Sequence, residues 1–258
     1  MSYTASEMMT IAAARALTGD DICFVGIGLP SAACNLARLT HAPGLTLVYE
    51  SGTLETKPAV LPLSIGDGEL CETALTTVSV PEMFQYWLQG GRISVGFLGG
   101  AQVDRFGNLN STVIGDYAAP KVRLPGSGGA PEIATSCRRI YIVMRHGPRA
   151  FVEKLDFMTS LGHGATGRER RALGIATEGP ALIVTDLCAM RPDPGTNEFE
   201  VVSLHPGIAR AEVREKTGWP IRFATRVDET PAPTSDELHA LRDLNERTTR
   251  AHGVVAAE

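Results

Sequence analysis

Glu50 is the residue whose position in the sequence points most directly to chemistry. It follows the apolar run 45–49, which is typical of a buried strand, and it precedes Ser51 and Gly52. Open α/β folds bind their ligands beyond the carboxyl ends of the strands. A carboxylate at that edge could act as a base, a metal ligand or a nucleophile. On spacing alone, an ordinary solvated or capping glutamate is the alternative.

Two glycine-rich segments could bind an anion. Residues 26–30 (GIGLP) lie between a predicted strand and a predicted helix, where free N–H groups favour negative charge. Ser31 occupies the place of the third glycine in the dinucleotide fingerprint, so the segment is not that motif. Residues 126–130 (GSGGA) match neither a P-loop nor a hydrolase elbow, but their amides could form an oxyanion hole. Plain turns are the alternative for both segments.

For the other polar residues, the sequence favours structural roles over catalytic ones. His163 and His205 lie in glycine-flanked loops and are interpreted as structural or positioning residues. The basic run 168–171 (RERR) is interpreted as a solvated face, with contact to an acidic substrate or partner left open. The five cysteines are scattered, without a CxxC pair or a histidine cluster, so we expect reduced, mostly buried thiols and no metal site.

Composition narrows the class of protein. The 258 residues carry a net charge of −5, are 43% hydrophobic and 21% charged, and favour a soluble globular protein. The acidic balance argues against nucleic acid as a partner. No apolar stretch reaches the roughly 18 residues of a membrane span, and Glu7 interrupts what would be the apolar part of a secretory signal. We therefore expect a cytoplasmic protein.

Helix and strand signals alternate along the chain. Thr4 and Glu7 form a capping box at the start of a helix, and strand 22–25, helix 31–39 and strand 45–49 follow. This order predicts an α/β fold with an open, largely parallel sheet flanked by helices. Further predicted helices cover 82–89, 209–217 and 234–252, and further predicted strands cover 93–98, 122–124, 139–143, 181–185 and 199–204. We predict a main domain over 1–230 and a C-terminal peripheral helix and tail over 231–258.

Four strings in register carry a family resemblance. They are GIGLP at 26–30, YESG at 49–52, GFLGGAQVD at 96–104 and GGA at 128–130. Together they resemble the β subunit of family I CoA-transferases, over nearly the whole chain. A second set of strings resembles the branch of that family that includes glutaconate CoA-transferase: LPLSIGDGE at 61–69, YWLQGGR at 86–92, VRLPG at 122–126, TDLC at 185–188 and NEF at 197–199.

The resemblance assigns roles to individual residues. It implies the CoA-transferase (NagB/RpiA-like) fold and makes Glu50 the nucleophile. Many members read Glu-Asn-Gly where this chain has Ser51 in the middle position, so the side chain that orients the carboxylate is left open. Backbone amides of Gly128 and Gly129 would form the oxyanion hole. The remaining implied contacts are to substrate: Gly26, Gly28, Ser51, Gly52, Gln102 and Ala130.

The resemblance also implies an activity and a partner. We expect an enzyme that transfers CoA from succinyl-CoA to 3-oxoadipate through a glutamyl-CoA thioester, in the β-ketoadipate pathway of aromatic catabolism. CoA esters would be substrates, with no permanently bound cofactor. An α subunit would complete an α₂β₂ heterotetramer. Alternatives are another short-dicarboxylate CoA-transferase, a CoA-ester hydrolase, or a binding chain without chemistry. Candidate anchors for the distal carboxylate are Lys57, Arg105 and Arg145.

Overall fold

A computed structural model describes residues 2–253 of the chain. Its helices are α1 Ala5–Ala14, α2 Leu29–Leu39, α3 Glu69–Glu72, α4 Val80–Glu82 with a π-helix over Met83–Leu88, α5 Ala130–Ser136, α6 Glu169–Ala172, α7 Arg210–Glu215 and α8 Ser235–His252. Its strands are β1 Ile22–Val25, β2 Thr46–Tyr49, β3 Thr53–Leu54, β4 Thr76–Thr77, β5 Val95–Leu98, β6 Gln102–Val103, β7 Leu109–Asn110, β8 Val113–Gly115, β9 Pro120–Arg123, β10 Arg139–Val143, β11 Gly179–Val184, β12 Cys188–Pro192, β13 Phe199–Leu204 and β14 Arg222–Glu229.

The chain forms two compact units. The first comprises the residues up to Phe97 and those from Ala232 onward, and the second comprises Leu98–Pro231. In the first unit, β1 lies between β2 and β5 and is parallel to both, while the short strands β3 and β4 add on in antiparallel fashion beyond β2. Helices α1, α2 and α8 pack on one another. The predicted strand 22–25 is confirmed with its bounds unchanged.

Apolar side chains from every layer of the first unit meet in its core. Phe24 of β1, Leu47 of β2, Ile11 of α1, Leu36 of α2 and Leu244 of α8 are all buried. At roughly 25 cal/mol per Å² of apolar surface removed from water, side chains of this size each contribute about 1.5–3 kcal/mol. This packed core therefore fixes the end of β2, which Glu50 directly follows.

Helix α8 is an integral part of the first unit. Its buried face consists of Leu238, Leu241 and Leu244, as the sequence pattern predicts. Arg15, the residue that follows α1, forms a bidentate pair with Glu237, with both contacts at 2.6 Å. The predicted domain boundary near residue 230 stays a prediction, and the predicted C-terminal tail, residues 254–258, lies outside the described residues.

The second unit has its own strand order. Strands β10 and β11 are parallel, β12 and β13 continue antiparallel, and β14 is parallel to β13. Two hairpins, β6–β7 and β8–β9, lie outside this order. The parallel pairs β1–β2, β1–β5 and β10–β11, with helices packed against the strands, confirm the predicted α/β class.

Candidate active site

A tight turn holds Glu50 at the carboxyl end of β2. The N–H of Gly52 donates to the carbonyl of Tyr49 at 2.9 Å, and the N–H of Val78 donates to the carbonyl of Gly52 at 2.9 Å. Gly52 has φ +106°, and a Cβ there would lie 1.9 Å from the Val78 carbonyl oxygen. Only glycine fits this position, so the backbone around Glu50 is fixed by its neighbours.

The Glu50 side chain is half-buried and electrostatically isolated. Burial raises the pKa of its carboxyl above the ordinary value, because water no longer solvates the charge fully. Within the described part of the first unit, no side chain or amide gives this carboxylate a hydrogen bond or an ion pair. A desolvated carboxylate without partners is a stronger nucleophile than a solvated one, as covalent catalysis requires.

Hydrogen bonds between buried polar groups fix Tyr49, the residue before Glu50. The hydroxyls of Tyr49 and Ser31 share a hydrogen bond of 2.8 Å, and the amide of Asn35 donates to the Ser31 carbonyl at 2.9 Å. Burial raises the pKa of Tyr49, so its phenol stays neutral. This network is absent from the expectations drawn from the sequence. Ser31 and Asn35 are four residues apart on the buried face of α2, and that spacing of polar residues is the signal that could have revealed it.

The GIGLP loop lies beside Glu50. Val25 at the end of β1 pairs with Tyr49 at the end of the parallel β2, so Gly26 and Glu50 leave neighbouring strands at the same edge. Gly28 has φ +81° and precedes α2 with no side-chain cap. In the described part of the first unit, the N–H groups of Gly26 and Gly28 have no acceptor. These amides and the helix N-terminus produce a local field that suits an anionic substrate group.

The GSGGA loop lies in the second unit. Ser111 holds it through Gly126, with the Ser111 hydroxyl donating to the Gly126 carbonyl at 2.8 Å and the Gly126 N–H returning to the Ser111 carbonyl at 2.9 Å. Gly128 has φ +47°, and Gly129 is the residue before α5. Among residues 2–253, no acceptor takes the N–H of Gly128 or Gly129. Free amides are what an oxyanion hole needs, and this role stays a prediction, as does the substrate contact of Ala130.

Gln102 is buried in the second unit with its amide engaged. Its Oε1 accepts from Asn110 at 2.8 Å and from the backbone of Asp156 at 3.1 Å, and its Nε2 donates to the Asp156 carboxylate at 3.1 Å. These contacts fix the β6–β7 hairpin. The predicted contact between Gln102 and substrate stays a prediction.

The three candidate anchors have different surroundings. Lys57 forms an exposed ion pair with Glu55 at 3.3 Å, and Arg105 pairs with Glu153 at 3.2 Å. Arg145 is exposed. Arg105 also lies 3.8 Å from the Glu198 carboxylate, whereas the exposed Lys57–Glu55 pair contributes only about 0–1 kcal/mol, so a substrate carboxylate could replace Glu55 at low cost.

The histidines and cysteines conform to their structural interpretation. His163 contacts the Pro180 carbonyl at 2.9 Å, and His205 contacts Thr230 at 3.0 Å and the Thr185 carbonyl at 2.8 Å. All five cysteines are free, and all but Cys71 are buried.

Across residues 2–253, no cluster of three or more His, Cys, Asp or Glu side chains has a metal-binding arrangement. Nor does this part of the chain contain a helix with the length and apolar character needed to span a bilayer.

The unpaired Glu50 carboxylate lies on a glycine-locked turn, beside free backbone amides at the carboxyl edge of parallel strands, where α/β proteins bind their ligands. Comparison with known proteins identifies the family. The sequence model of the family described as "Coenzyme A transferase" matches residues 6–216. The chain belongs to this family, and the predicted resemblance is confirmed.

Individual relatives cover almost the whole chain. The B subunit of 3-oxoadipate CoA-transferase from Pseudomonas knackmussii is 62% identical over 257 residues, covering 100% of this chain and 99% of its own. The B subunit of glutaconate CoA-transferase from Acidaminococcus fermentans is 36% identical over 246 residues, covering 92% and 91%. The crystal structure of the A. fermentans glutaconate coenzyme A-transferase superposes with a TM-score of 0.87 at 32% identity, covering 93% of this chain and 94% of that one.

Proposed function

We propose that this chain is the β subunit of a CoA-transferase that moves CoA from succinyl-CoA to 3-oxoadipate. The 62% identity to the B subunit of a 3-oxoadipate CoA-transferase, over the full length, supports the acceptor. The observation that carries the chemistry is the half-buried, unpaired Glu50 carboxylate on its rigid turn.

The reaction proceeds by two exchanges at Glu50. The carboxylate attacks the thioester carbon of succinyl-CoA, and the CoA thiolate leaves, which gives a mixed anhydride. The thiolate then attacks the Glu50 carbonyl, succinate leaves, and a glutamyl-CoA thioester remains. The carboxylate of 3-oxoadipate attacks that thioester and expels the thiolate. The thiolate finally attacks the 3-oxoadipyl carbonyl and restores the Glu50 carboxylate, with no net proton transfer.

Backbone amides and exclusion of water make these steps possible. Each attack creates a tetrahedral oxyanion, and one lost oxyanion donor typically costs about 3–4 kcal/mol of transition-state stabilisation. We assign the donors to Gly128 and Gly129, and contacts to substrate to Gly26, Gly28, Ser51 and Gly52. Water would hydrolyse both the anhydride and the thioester, so the mechanism requires the site around the half-buried Glu50 to exclude water during the reaction.

Trapping of the covalent intermediate tests the chemistry. The chain, co-purified with its partner subunit, is incubated with succinyl-CoA without acceptor, reduced with borohydride and analysed by peptide mass spectrometry. We expect a CoA adduct or its reduced alcohol on the Glu50 peptide, absent from Glu50→Gln, which should lose transfer on the order of a thousandfold or more. Glu72→Gln, at an exposed position in α3, is the matched control. Steady release of free CoA without an adduct would instead favour a hydrolase.

Acceptor profiling tests the substrate. With succinyl-CoA as donor, 3-oxoadipate should give the highest kcat/KM among C4–C6 dicarboxylates. A preference for glutaconate, whose transferase in A. fermentans has a 36% identical B subunit, would replace the acceptor and leave the glutamyl mechanism in place.

The partner and the location form part of the same proposal. We propose an α-type subunit and an α₂β₂ assembly, because the relatives at 62% and 36% identity are named as B subunits. Light scattering on the co-purified complex tests this stoichiometry. We propose a cytoplasmic location because scattered, odd-numbered cysteines suit a reducing compartment, and cell fractionation tests it.

A further inference from the structure

A basic recess in the second unit lies outside the proposed mechanism. It has a volume of about 510 Å³. Residues of α6 and of the loops around it line the recess, among them His163, Arg168, Arg170, Arg171, Thr177 and Asn197. The interpretation of the run 168–171 as a solvated face is wrong for Arg170, because only 4% of this residue is exposed.

Neutral oxygens surround the Arg170 guanidinium. It donates to the Ala134 carbonyl at 2.6 Å, to the Gly162 carbonyl at 3.2 Å, and to the carbonyl and hydroxyl of Thr177 at 3.1 and 2.6 Å. Burial lowers the pKa of Arg170 to about 10, so the group is still charged at neutral pH. No carboxylate in the described chain pairs with it. A buried charge without a counter-ion is costly, which makes this arrangement unusual.

The backbone around Arg170 leaves room for the guanidinium. Gly179 has φ +82°, and a Cβ there would lie 2.9 Å from Nε of Arg170 and 3.0 Å from its Cζ. The Asn197 side chain donates to the Gly167 carbonyl at 2.8 Å and ties another part of the lining. Tertiary packing therefore fixes the part of the lining formed by Arg170, Gly179 and Asn197.

The other two arginines are available to a ligand. Arg168 and Arg171 are exposed and form no ion pair within residues 2–253. The nearby carboxylates already accept hydrogen bonds or form an ion pair. The Glu169 carboxylate accepts from the backbone and hydroxyl of Thr166 at 2.8–3.1 Å, and Glu178 pairs with Arg138 at 2.8 Å. The lining of the recess thus carries three arginines and one carboxylate, that of Glu178, which Arg138 already pairs, in a chain whose net charge is −5.

Helix α5 separates this recess from the predicted oxyanion loop. Gly129 precedes the helix, and Ala134, which binds Arg170, lies in its last turn. Gly129 and Ala134 are five residues apart, a rise of about 7.5 Å along the helix, and neither Gly128 nor Gly129 lines the recess. Within the second unit, the recess and the free amides of Gly128 and Gly129 are therefore distinct places.

We propose that this recess is a binding site for a phosphate group. Arg168 and Arg171 provide guanidinium forks, which match the oxygen geometry of phosphate. Arg170, whose N–H groups are all engaged, contributes charge and not hydrogen bonds. The phosphate belongs either to the CoA ester or to a separate phosphorylated ligand. The proposal does not rest on the chemistry of Glu50.

Binding measurements on the co-purified complex test the site. Inorganic phosphate, ADP, CoA and succinate are titrated by calorimetry at constant ionic strength. We expect saturable binding of at least one phosphate-bearing probe, weakened tenfold or more in Arg168→Ala/Arg171→Ala. The control is Arg149→Ala/Arg226→Ala, which removes two exposed arginines that do not line the recess.

Each outcome of the titrations is decisive. Equal weakening by the control pair, binding of succinate alone, or no saturable binding overturns the proposal. If the site holds, a tenfold higher KM for the CoA ester in the Arg168/Arg171 variant assigns the phosphate to that substrate, and an unchanged KM assigns it to a separate ligand. Glu50 adduct formation, measured on the same variant, reports on the proposed function independently.

Discussion

At the scale of single residues, Glu50 and Gly52 make different contributions to the turn at the end of β2. Gly52 gives the turn its geometry, because the Val78 carbonyl occupies the space of any Cβ. Glu50 carries the proposed nucleophile, and partial burial raises the pKa of its carboxyl. A rigid backbone under a desolvated side chain is the arrangement that a nucleophile needs, since little reorganisation is left for the reaction itself.

The raised pKa of Glu50 predicts the acid limb of the pH profile. Burial disfavours the ionised form, which is the proposed nucleophile, so activity should be constant above this pKa and fall tenfold per pH unit below it. The limb should lie above about 4.3, the ordinary value for a glutamate carboxyl. Initial rates across pH 4–8 with saturating acceptor measure it. A limb at or below the ordinary value would contradict desolvation as the dominant effect.

Replacement of Gly52 by alanine should damage the first unit. The variant needs the backbone at Val78, just after β4, to move and a non-glycine residue to adopt φ +106°, and we expect a loss of at least about 2 kcal/mol in the free energy of unfolding. Chemical denaturation measures it. Gly68→Ala is the matched control, because no atom lies within 4 Å of its Cβ position and its φ is −60°. Equal stability of the two variants would exclude the steric explanation.

At the scale of elements, side chains from three helices hold the segment Pro58–Leu61, which we call the strap. Arg38 of α2 donates to the Pro58 carbonyl at 3.1 Å, and Glu69 of α3 accepts from the Ala59 N–H at 2.8 Å. Residues of α8 hold the rest: Thr248 accepts from the Leu61 N–H at 2.9 Å, Arg247 donates to the Ala59 carbonyl, and His252 contacts the Leu61 carbonyl at 3.0 Å. The strap has no regular structure, yet most of its backbone groups have hydrogen-bond partners.

Loss of the Thr248 hydroxyl should loosen the strap. Thr248→Val leaves the Leu61 N–H without its acceptor, and we expect about 1 kcal/mol of destabilisation with faster proteolysis within residues 58–68. The adjacent Thr249 donates only to the Asn245 carbonyl of its own helix, which makes Thr249→Val the matched control. Denaturation and limited proteolysis of both variants provide the comparison. Identical cleavage rates would show that α8 does not hold the strap.

At the scale of the whole molecule, the chain leaves the first unit at Phe97 and returns to it at Ala232. Ion pairs then join the returning helix to the start of the chain. Arg15, just after α1, binds Glu237, and Arg242 of α8 binds Glu7 at 2.6 Å. Both helices also begin with the capping boxes that the sequence predicts, so Glu7 and Glu237 each cap a helix and bind an arginine.

These pairs predict sensitivity to acid. Burial alone would raise the pKa of Glu237, but hydrogen bonds from Arg15 and Thr234 outweigh it and lower the pKa to about 2. Because the folded pKa is depressed, the stabilisation is present above the unfolded value of about 4.3 and is lost as pH falls through about 2. Glu237→Gln should therefore lower the melting temperature at pH 7 and have little effect near pH 2. Glu246→Gln, at an exposed pair with Arg250, is the control.

Local signals in the sequence determined much of this protein. The bounds of β1, the capping boxes of α1 and α8 and the position of Glu50 after an apolar strand follow from short-range patterns of residues. The family resemblance rests on motifs of the same kind. These predictions hold because capping, periodicity and strand ends depend on residues that are close in the chain.

Contacts between distant residues decided the rest. The Val78 carbonyl makes Gly52 obligatory, and packing desolvates Glu50; neither effect is visible in the string 49–52. Arg170, which resembles a surface arginine in sequence, is buried because carbonyls from three separate segments surround it. The burial of a side chain and its hydrogen-bond partners depend on which segments meet in space. Only the tertiary structure therefore determines whether a charged side chain is solvated, paired or desolvated.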